Sequence, residues 1–172
     1  MSSEEKRTVT FKQAPLTLIG KQLKVGDTAP NFKLTSPELK EVALSDFPEK
    51  IVVLSCVPSL DTPVCDIQGK KFDESAKKLS SDIVTLIVSL DTPFAQSRWK
   101  AATNCTKAMP LSDYKERNFA KTYGLLIDEL KLLSRAVFII GKDKKIHYVQ
   151  YVDEITNEPN YEAAFEALKK IK

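Results

Sequence analysis

Cysteine is scarce in this chain. Three occur, Cys56, Cys65 and Cys105, at irregular spacing and with no CxxC pair among them. An odd count without that motif excludes the disulfide framework of a small secreted domain and argues against a dithiol reductase, so each cysteine is read by its own setting. Histidine occurs once, at His147, and no His/Cys/Asp/Glu group has the spacing of a zinc site. With five glycines in all, neither a P-loop nor a dinucleotide-binding fingerprint is present. No run approaches the roughly 20 apolar residues that span a bilayer. The opening MSSEEKRTVTF lacks the apolar core of a secretory leader, which predicts a cytoplasmic protein with no membrane partner and makes the N-x-T match at Asn104 accidental. The net charge is only +3 and no arginine-rich segment accompanies it, so nucleic acid is not an expected partner.

What is present suits one soluble α/β domain over residues 1–172, with 42% hydrophobic residues and 28% charged residues of mixed sign. TVTF and LTLIG alternate around a QAP break and predict an N-terminal β-hairpin at about residues 8–20. IVVLSCV (51–57) is apolar except for Ser55, the pattern of a central strand covered on both faces. After Cys65 the period changes. Ile67, Phe72, Ala76 and Leu79 trace a helical stripe, with Lys70, Lys71, Asp73, Glu74, Lys77 and Lys78 expected in solvent. IVTLIVSL then supplies a second buried strand and completes a βαβ unit. FAQSRWKAA and SDYKERNFAKTY predict two further helices, the latter ending at Gly124. RAVFII and KIHYVQYV predict an antiparallel pair, and PNYEAAFEALKKIK a closing helix. VGDTAPNFKL reads as an extended connection and VALSDFPEK as a polar turn. The expected fold is a mixed sheet of four or five strands with helices on both faces.

DTPVC places Thr62 as N-cap, Pro63 at N1, Val64 at N2 and Cys65 at N3 of the first long helix. The free amides and partial positive charge of that turn favour a thiolate, which makes Cys65 a candidate nucleophile; a small buried residue starting a helix is the competing reading. Asp66 acts against a charged cysteine if its carboxylate lies close. Cys56, inside the buried run, reads as a packing residue. Cys105, in the polar ATNCTK, is expected to be exposed and mobile, and its pairing with Cys65 across 40 positions has to be created by folding. His147 sits in an alternating strand, where an ordinary strand residue and a Cys–His pair both stay open. Trp99, Phe94 and Tyr123 read as core or interface aromatics.

VPSLDTPVC also contains the pattern P-x-x-x-T-x-x-C through Pro58, Thr62 and Cys65. Together with DTPFAQSRW and YVDEITNEPNYEAA it makes the chain resemble the thiol peroxidase group of the peroxiredoxins from Val9 to Leu168. The resemblance implies a thioredoxin-like mixed sheet flanked by helices and a peroxidase with no metal or organic cofactor. Its substrates would be hydrogen peroxide and organic hydroperoxides. It implies that Cys65 attacks the peroxide and becomes a sulfenic acid, that Thr62 directs its hydroxyl toward the thiolate and peroxide, that Pro58 shapes the pocket, and that Arg135 in LLSRAVFII stabilises the thiolate. It further implies thioredoxin or a similar thiol as reductant and a homodimer, with DTPFAQSRW a contact surface. The family's resolving cysteine follows the aromatic residue of the FAQSRW segment, and here Lys100 stands in that place. Cys105, five residues on, is the expected resolving cysteine of an atypical 2-Cys enzyme. A one-cysteine peroxidase resolved by an external thiol and a non-enzymatic thioredoxin-fold interaction protein are the alternatives.

Overall fold

The alternation of TVTF and LTLIG does build a hairpin. β1 (Lys6–Phe11) pairs antiparallel with β2 (Ala14–Ile19) across a two-residue turn whose Lys12 and Gln13 both have positive φ. A turn of that hand matches the twist of the flanking strands, and the strain of two left-handed non-glycine residues is offset by the Glu154 carboxylate, which accepts both of their amides at 3.2 and 2.8 Å. The computed structural model describes residues 5–171; residues 1–4 and 172 of the expected domain lie outside the described residues.

Along the chain follow β3 (Lys33–Thr35), β4 (Glu41–Ala43), β5 (Ile51–Cys56), α1 (Pro63–Ala76), β6 (Ile83–Ser89), α2 (Pro93–Thr103) and β7 (Met109–Ser112). Then come α3 (Asn118–Thr122), β8 (Leu126–Ile127), β9 (Leu132–Leu133), β10 (Ala136–Ile140), β11 (Ile146–Tyr151) and α4 (Tyr161–Lys169). The main sheet has the order β11-β10-β5-β6-β7-β3-β4, with β5, β6 and β7 parallel and the remaining neighbours antiparallel. A second antiparallel sheet, β1-β2-β8-β9, carries the hairpin. Seven strands in the main sheet exceed the four or five expected. The excess comes from β3, β4 and β7, whose three or four residues are too few for a period of two to stand out.

β5 is buried along its whole length, and its side chains alternate between two cores. Ile51 and Val53 join Val137 and Ile139 beneath Phe72 of α1 and Ala164 and Leu168 of α4. Val52, Leu54 and Cys56 face the other way, toward Phe119, Ala120 and Tyr123 at α3. Each such aliphatic side chain contributes about 1.5 to 3 kcal/mol on burial, which fixes the sheet centre and with it the strand ends where the chemistry sits. The α3 helix is shorter than SDYKERNFAKTY suggested, because Arg117 is left-handed and Asp113 takes the amides of Phe119 and Ala120 instead of extending the turn. It stops at Gly124, whose φ of +65° and close approach to the Lys21 carbonyl leave no room for a Cβ.

On α1 the buried face follows the predicted stripe only in part: Phe72 is buried and Leu79 packs against the core, but Ile67 turns outward. Ile67 is 41% exposed, whereas Gln68, Phe72 and the charged Asp73 are buried. Two polar side chains displace an apolar one because each has a partner on a neighbouring element, a requirement that hydrophobic periodicity does not register.

Candidate active site

The first turn of α1 forms as DTPVC dictates, with Thr62 as N-cap and Pro63 in the first turn. Thr62 does not spend its side chain on a cap. Its hydroxyl donates to the Ser59 carbonyl at 2.8 Å, leaving the oxygen lone pairs free. Among the described residues the amides of Val64 and Cys65 find no protein acceptor, as expected for the first turn of a helix. The preceding loop is pinned by Asp91, which accepts from the Ser59 hydroxyl at 2.7 Å and from the Leu60 amide at 2.8 Å. Asp66, the residue placed against a charged cysteine, is drawn away: its carboxylate accepts from Trp99 Nε1 at 2.8 Å and pairs with Lys70 at 2.7 Å.

Arg135 immediately precedes β10 and reaches back to α1. Its Nη2 donates to Cys65 Sγ at 3.3 Å and to the Ile155 carbonyl at 2.8 Å, its Nε donates to the same carbonyl at 3.0 Å, and its Nη1 donates to Gln68 Oε1 at 2.9 Å. Gln68, one turn after Cys65, completes the string by donating through Nε2 to Ser55 Oγ at 2.9 Å. Ser55, the lone polar residue of the IVVLSCV run, is therefore the far anchor of the arginine. Sequence reasoning missed Gln68 and Ile155; the isolated serine in a buried strand was the available signal for the first.

The guanidinium is buried, and no carboxylate among the described residues forms an ion pair with it. Glu158 is engaged by Lys71 and the Tyr161 hydroxyl instead. A buried cation without an anion is expensive, and the sulfur beside it is the group able to carry the missing charge.

Over these groups opens a cavity of about 330 Å³, lined by Pro58, Thr62 and Arg135 and walled by Phe11, Leu130 and Leu132. Cys65 itself is fully buried, and Arg135, which lines the cavity, touches its sulfur. Pro58, Thr62, Cys65 and Arg135 thus meet at one place. A larger groove of about 650 Å³ between α1 and α4, over Leu79, Phe165 and Leu168, is lined by no cysteine and by none of Pro58, Thr62 and Arg135.

The other two cysteines differ from Cys65. Cys56 lies on the opposite side of β5, and burial pushes its thiol pKa far up. Cys105 is not the exposed, mobile residue that ATNCTK suggested. It is 4% exposed and shares an apolar cluster with Cys65, Leu60, Ile87 and Trp99. The left-handed Asn104 ends α2 and turns the chain inward, and the buried Asp73 carboxylate accepts the amides of Thr106, Lys107 and Ala108 at 3.4, 2.8 and 2.8 Å. All three cysteines are free thiols. His147 pairs with Asp143 and lies opposite the register shift between Ile139 and Ile140 of β10, four to five residues and so roughly 14 to 17 Å along the strand from Arg135 at 3.4 Å per residue, so no Cys–His pair forms. Trp99 and Tyr123 are core residues, whereas Phe94 is 69% exposed. No described helix is long and apolar enough to cross a membrane.

The Redoxin family model matches residues 24–165. A thiol peroxidase of Halalkalibacterium halodurans is 48% identical over 162 residues, covering 94% of this chain and 97% of that protein. The crystal structure of a peroxiredoxin-like protein from Aquifex aeolicus superposes with a TM-score of 0.90 at 41% identity, over 98% of this chain and 99% of the other. A thiol peroxidase from Chromobacterium violaceum, 21% identical and with a TM-score of 0.84 over 96% of this chain and 97% of its own, shares the fold.

Proposed function

Because the chain belongs to the Redoxin family, and within it to the thiol peroxidases, it is a thiol-dependent peroxidase, and we propose how its residues divide that work. Cys65 is the peroxidatic residue. Its thiolate attacks the terminal oxygen of a hydroperoxide, an S–O bond forms as the O–O bond breaks, the sulfur becomes a sulfenic acid, and the hydroxide or alkoxide that leaves takes up the proton released when the thiol ionised, departing as water or an alcohol. Arg135 balances the thiolate and then the negative charge developing on the leaving oxygen; the free amides of Val64 and Cys65 add donors at the same place. Thr62, whose own proton is committed to Ser59, accepts a hydrogen bond from the peroxide O–H and so orients it, and Pro58 closes the wall. The apolar Phe11, Leu130 and Leu132 accommodate organic hydroperoxides as well as hydrogen peroxide.

One observation carries this reading: a buried guanidinium without a carboxylate partner donates to Cys65 Sγ at 3.3 Å. The test is stopped-flow reaction of the reduced protein with peroxide. A rapid burst is expected, lost in Cys65→Ser; an equal burst in that variant would remove Cys65 from the reaction.

Cys105 then resolves the sulfenic acid as an intrachain disulfide, which thioredoxin or a similar thiol reduces. Its place in the same cluster as Cys65 supports this step. Burial of Cys105 in the reduced form favours the alternative, resolution by an external thiol. Peptide mapping after one equivalent of peroxide separates them, since only the first yields a Cys65–Cys105 link. The whole 1–172 chain acts as one domain, and a homodimer formed through the DTPFAQSRW segment, where Phe94 is open to solvent, completes the reading. Three cysteines, an odd count without the pattern of a secreted disulfide framework, suit a reducing compartment such as the cytoplasm.

A further inference from the structure

Asp73 is a carboxylate buried two turns along α1 from Cys65, and its placement has no part in peroxide binding. Its Oδ1 accepts the amides of Lys107 and Ala108, both at 2.8 Å, and its Oδ2 takes the longer contact from Thr106 at 3.4 Å. Lys77 lies 3.4 Å from Oδ2 on the solvent side and is shared with Glu74. The three amides belong to the residues directly after Cys105, whose Sγ donates to the Ala108 carbonyl at 3.3 Å. Asp73 therefore ties the Cys105 segment to the very helix that begins with the peroxidatic cysteine.

We propose that Asp73 is a positioning residue for resolution: a latch that holds the Cys105 segment closed, and so sets how long the Cys65 sulfenic acid survives. This rests on Cys105 being the resolving residue. The step it controls is attack of the Cys105 sulfur on the Cys65 sulfenic sulfur. An S–S bond forms, the S–O bond breaks, the Cys105 proton is released, and hydroxide takes up a proton and leaves as water; the peroxide has already been reduced in the preceding step. Two features of the latch oppose attack. Moving Cys105 toward Cys65 strains or breaks charge-assisted bonds to the Asp73 carboxylate, and ionising Cys105 places a second negative charge beside it. Burial first, and then the Asp73 charge, push the Cys105 thiol up to about 12, against a smaller opposing pull from Lys100 and Lys77. Asp73 is no plausible base for that proton, since the amides of Ala108 and Lys107 overcome burial and hold its carboxyl below the usual range.

Asp73→Asn tests the latch. Its amide oxygen can keep the two shorter bonds while the charge is lost. The expected result is disulfide formation at least about threefold faster, an unchanged rate of Cys65 oxidation, and less Cys65 sulfinic acid at excess peroxide. A merely structural role would not separate the two steps in this way. If the wild type forms the Cys65–Cys105 link and Asp73→Asn forms it no faster, the latch is wrong and Cys105 still resolves. If only the variant forms the link, an external thiol resolves the wild type, Asp73 does not set the lifetime of its sulfenic acid, and the proposal is overturned together with the role of Cys105. If neither forms it, both ideas fall. The wild type supplies a second readout without any substitution: the Lys107 and Ala108 amides should exchange with deuterium faster in the disulfide form than in the reduced form, and equal protection in both overturns the latch.

Discussion

Cys65 and Cys105 lie in one apolar cluster and are equally shut off from solvent, but their polar neighbours are of opposite sign. Beside Cys65 stands the Arg135 guanidinium; beside Cys105 stands the Asp73 carboxylate. In a medium of low effective dielectric such neighbours count for far more than in water, so burial by itself does not decide whether a cysteine is inert. A buried thiol facing a cation is set up to react, and one facing an anion is set up to wait. The same helix serves both ends of this contrast, since Cys65 starts α1 and Asp73 lies two turns along it. The order of events that a two-cysteine peroxidase requires, oxidation at one sulfur before attack by the other, is consistent with that asymmetry.

The largest effect should come from comparing Cys105 with itself in the unfolded chain. A thiol whose pKa is about 12 has only about one part in 10⁵ ionised at pH 7. Alkylation of native Cys105 should accordingly be at least about 10³-fold slower than in denaturant, as read by peptide mass spectrometry after timed iodoacetamide quenching. Rapid alkylation in the native state would erase the contrast. The sign for stability follows. The Cys105 pKa is raised on folding from the ordinary 9.0, so its contribution is complete below pH 9 and is lost as the pH climbs toward 12; Cys105→Ala should flatten part of the alkaline fall in unfolding free energy.

Arg135→Met comes next. It removes the cation and leaves a side chain of similar reach, so the second-order rate with hydrogen peroxide should fall about 10²- to 10³-fold, the usual loss for one donor aimed at developing charge. Circular dichroism and thermal melting should show the fold retained. A variant that still reacts within about threefold of the wild type would mean that the free helix amides alone supply the stabilisation.

Gln68→Leu probes how the arginine is aimed. The substitution leaves Arg135 Nη1 and Ser55 Oγ without their partner, at about 1 to 3 kcal/mol of stability, and lets the guanidinium swing. Peroxide reactivity should drop about tenfold, between the wild type and Arg135→Met. If Gln68→Leu loses stability but no rate, Ile155 is the sole support that matters.

How far these two settings could be read in the sequence differs in the same way as their chemistry. The Cys65 site was legible because its cause is local: Thr62, Pro63 and Cys65 take their helix positions from adjacent residues, and β5 announces itself by an unbroken apolar run. Arg135 came only through the resemblance, and Gln68 was hidden under the expectation that a helix buries apolar residues. The Cys105 setting was misread because its cause is distant. ATNCTK is polar in composition, and nothing within it reveals that a carboxylate more than 30 positions earlier takes up its amides. Asp73 was misassigned for the same reason: a charged residue in a lysine-rich helix reads as solvated unless its partners are known. The short strands β3, β4 and β7 escaped because pairing, and not pattern, defines them.

The smallest effect concerns the contact that holds the two cysteine settings together. The Trp99 ring of α2 packs on Gly69 of α1 so closely that a Cβ there would lie 2.7 Å from its Cζ2, and its Nε1 donates to Asp66 at 2.8 Å. Trp99→Phe keeps an aromatic ring in the gap and drops the donor. Asp66 retains Lys70 and is partly solvated, so the lost bond should cost only about 1 kcal/mol in chemical denaturation. Removing it also returns the Asp66 carboxylate to the first turn of α1, where it opposes negative charge on Cys65, so the peroxide rate should fall about two- to threefold with no change in Cys105 alkylation. Gly69→Ala is the complementary change. It keeps the indole donor but overfills the contact, and should cost more, about 1 to 3 kcal/mol, by forcing the ring outward. If Trp99→Phe instead exposes Cys105 to iodoacetamide, then Trp99, and not Asp73 alone, keeps the second cysteine closed.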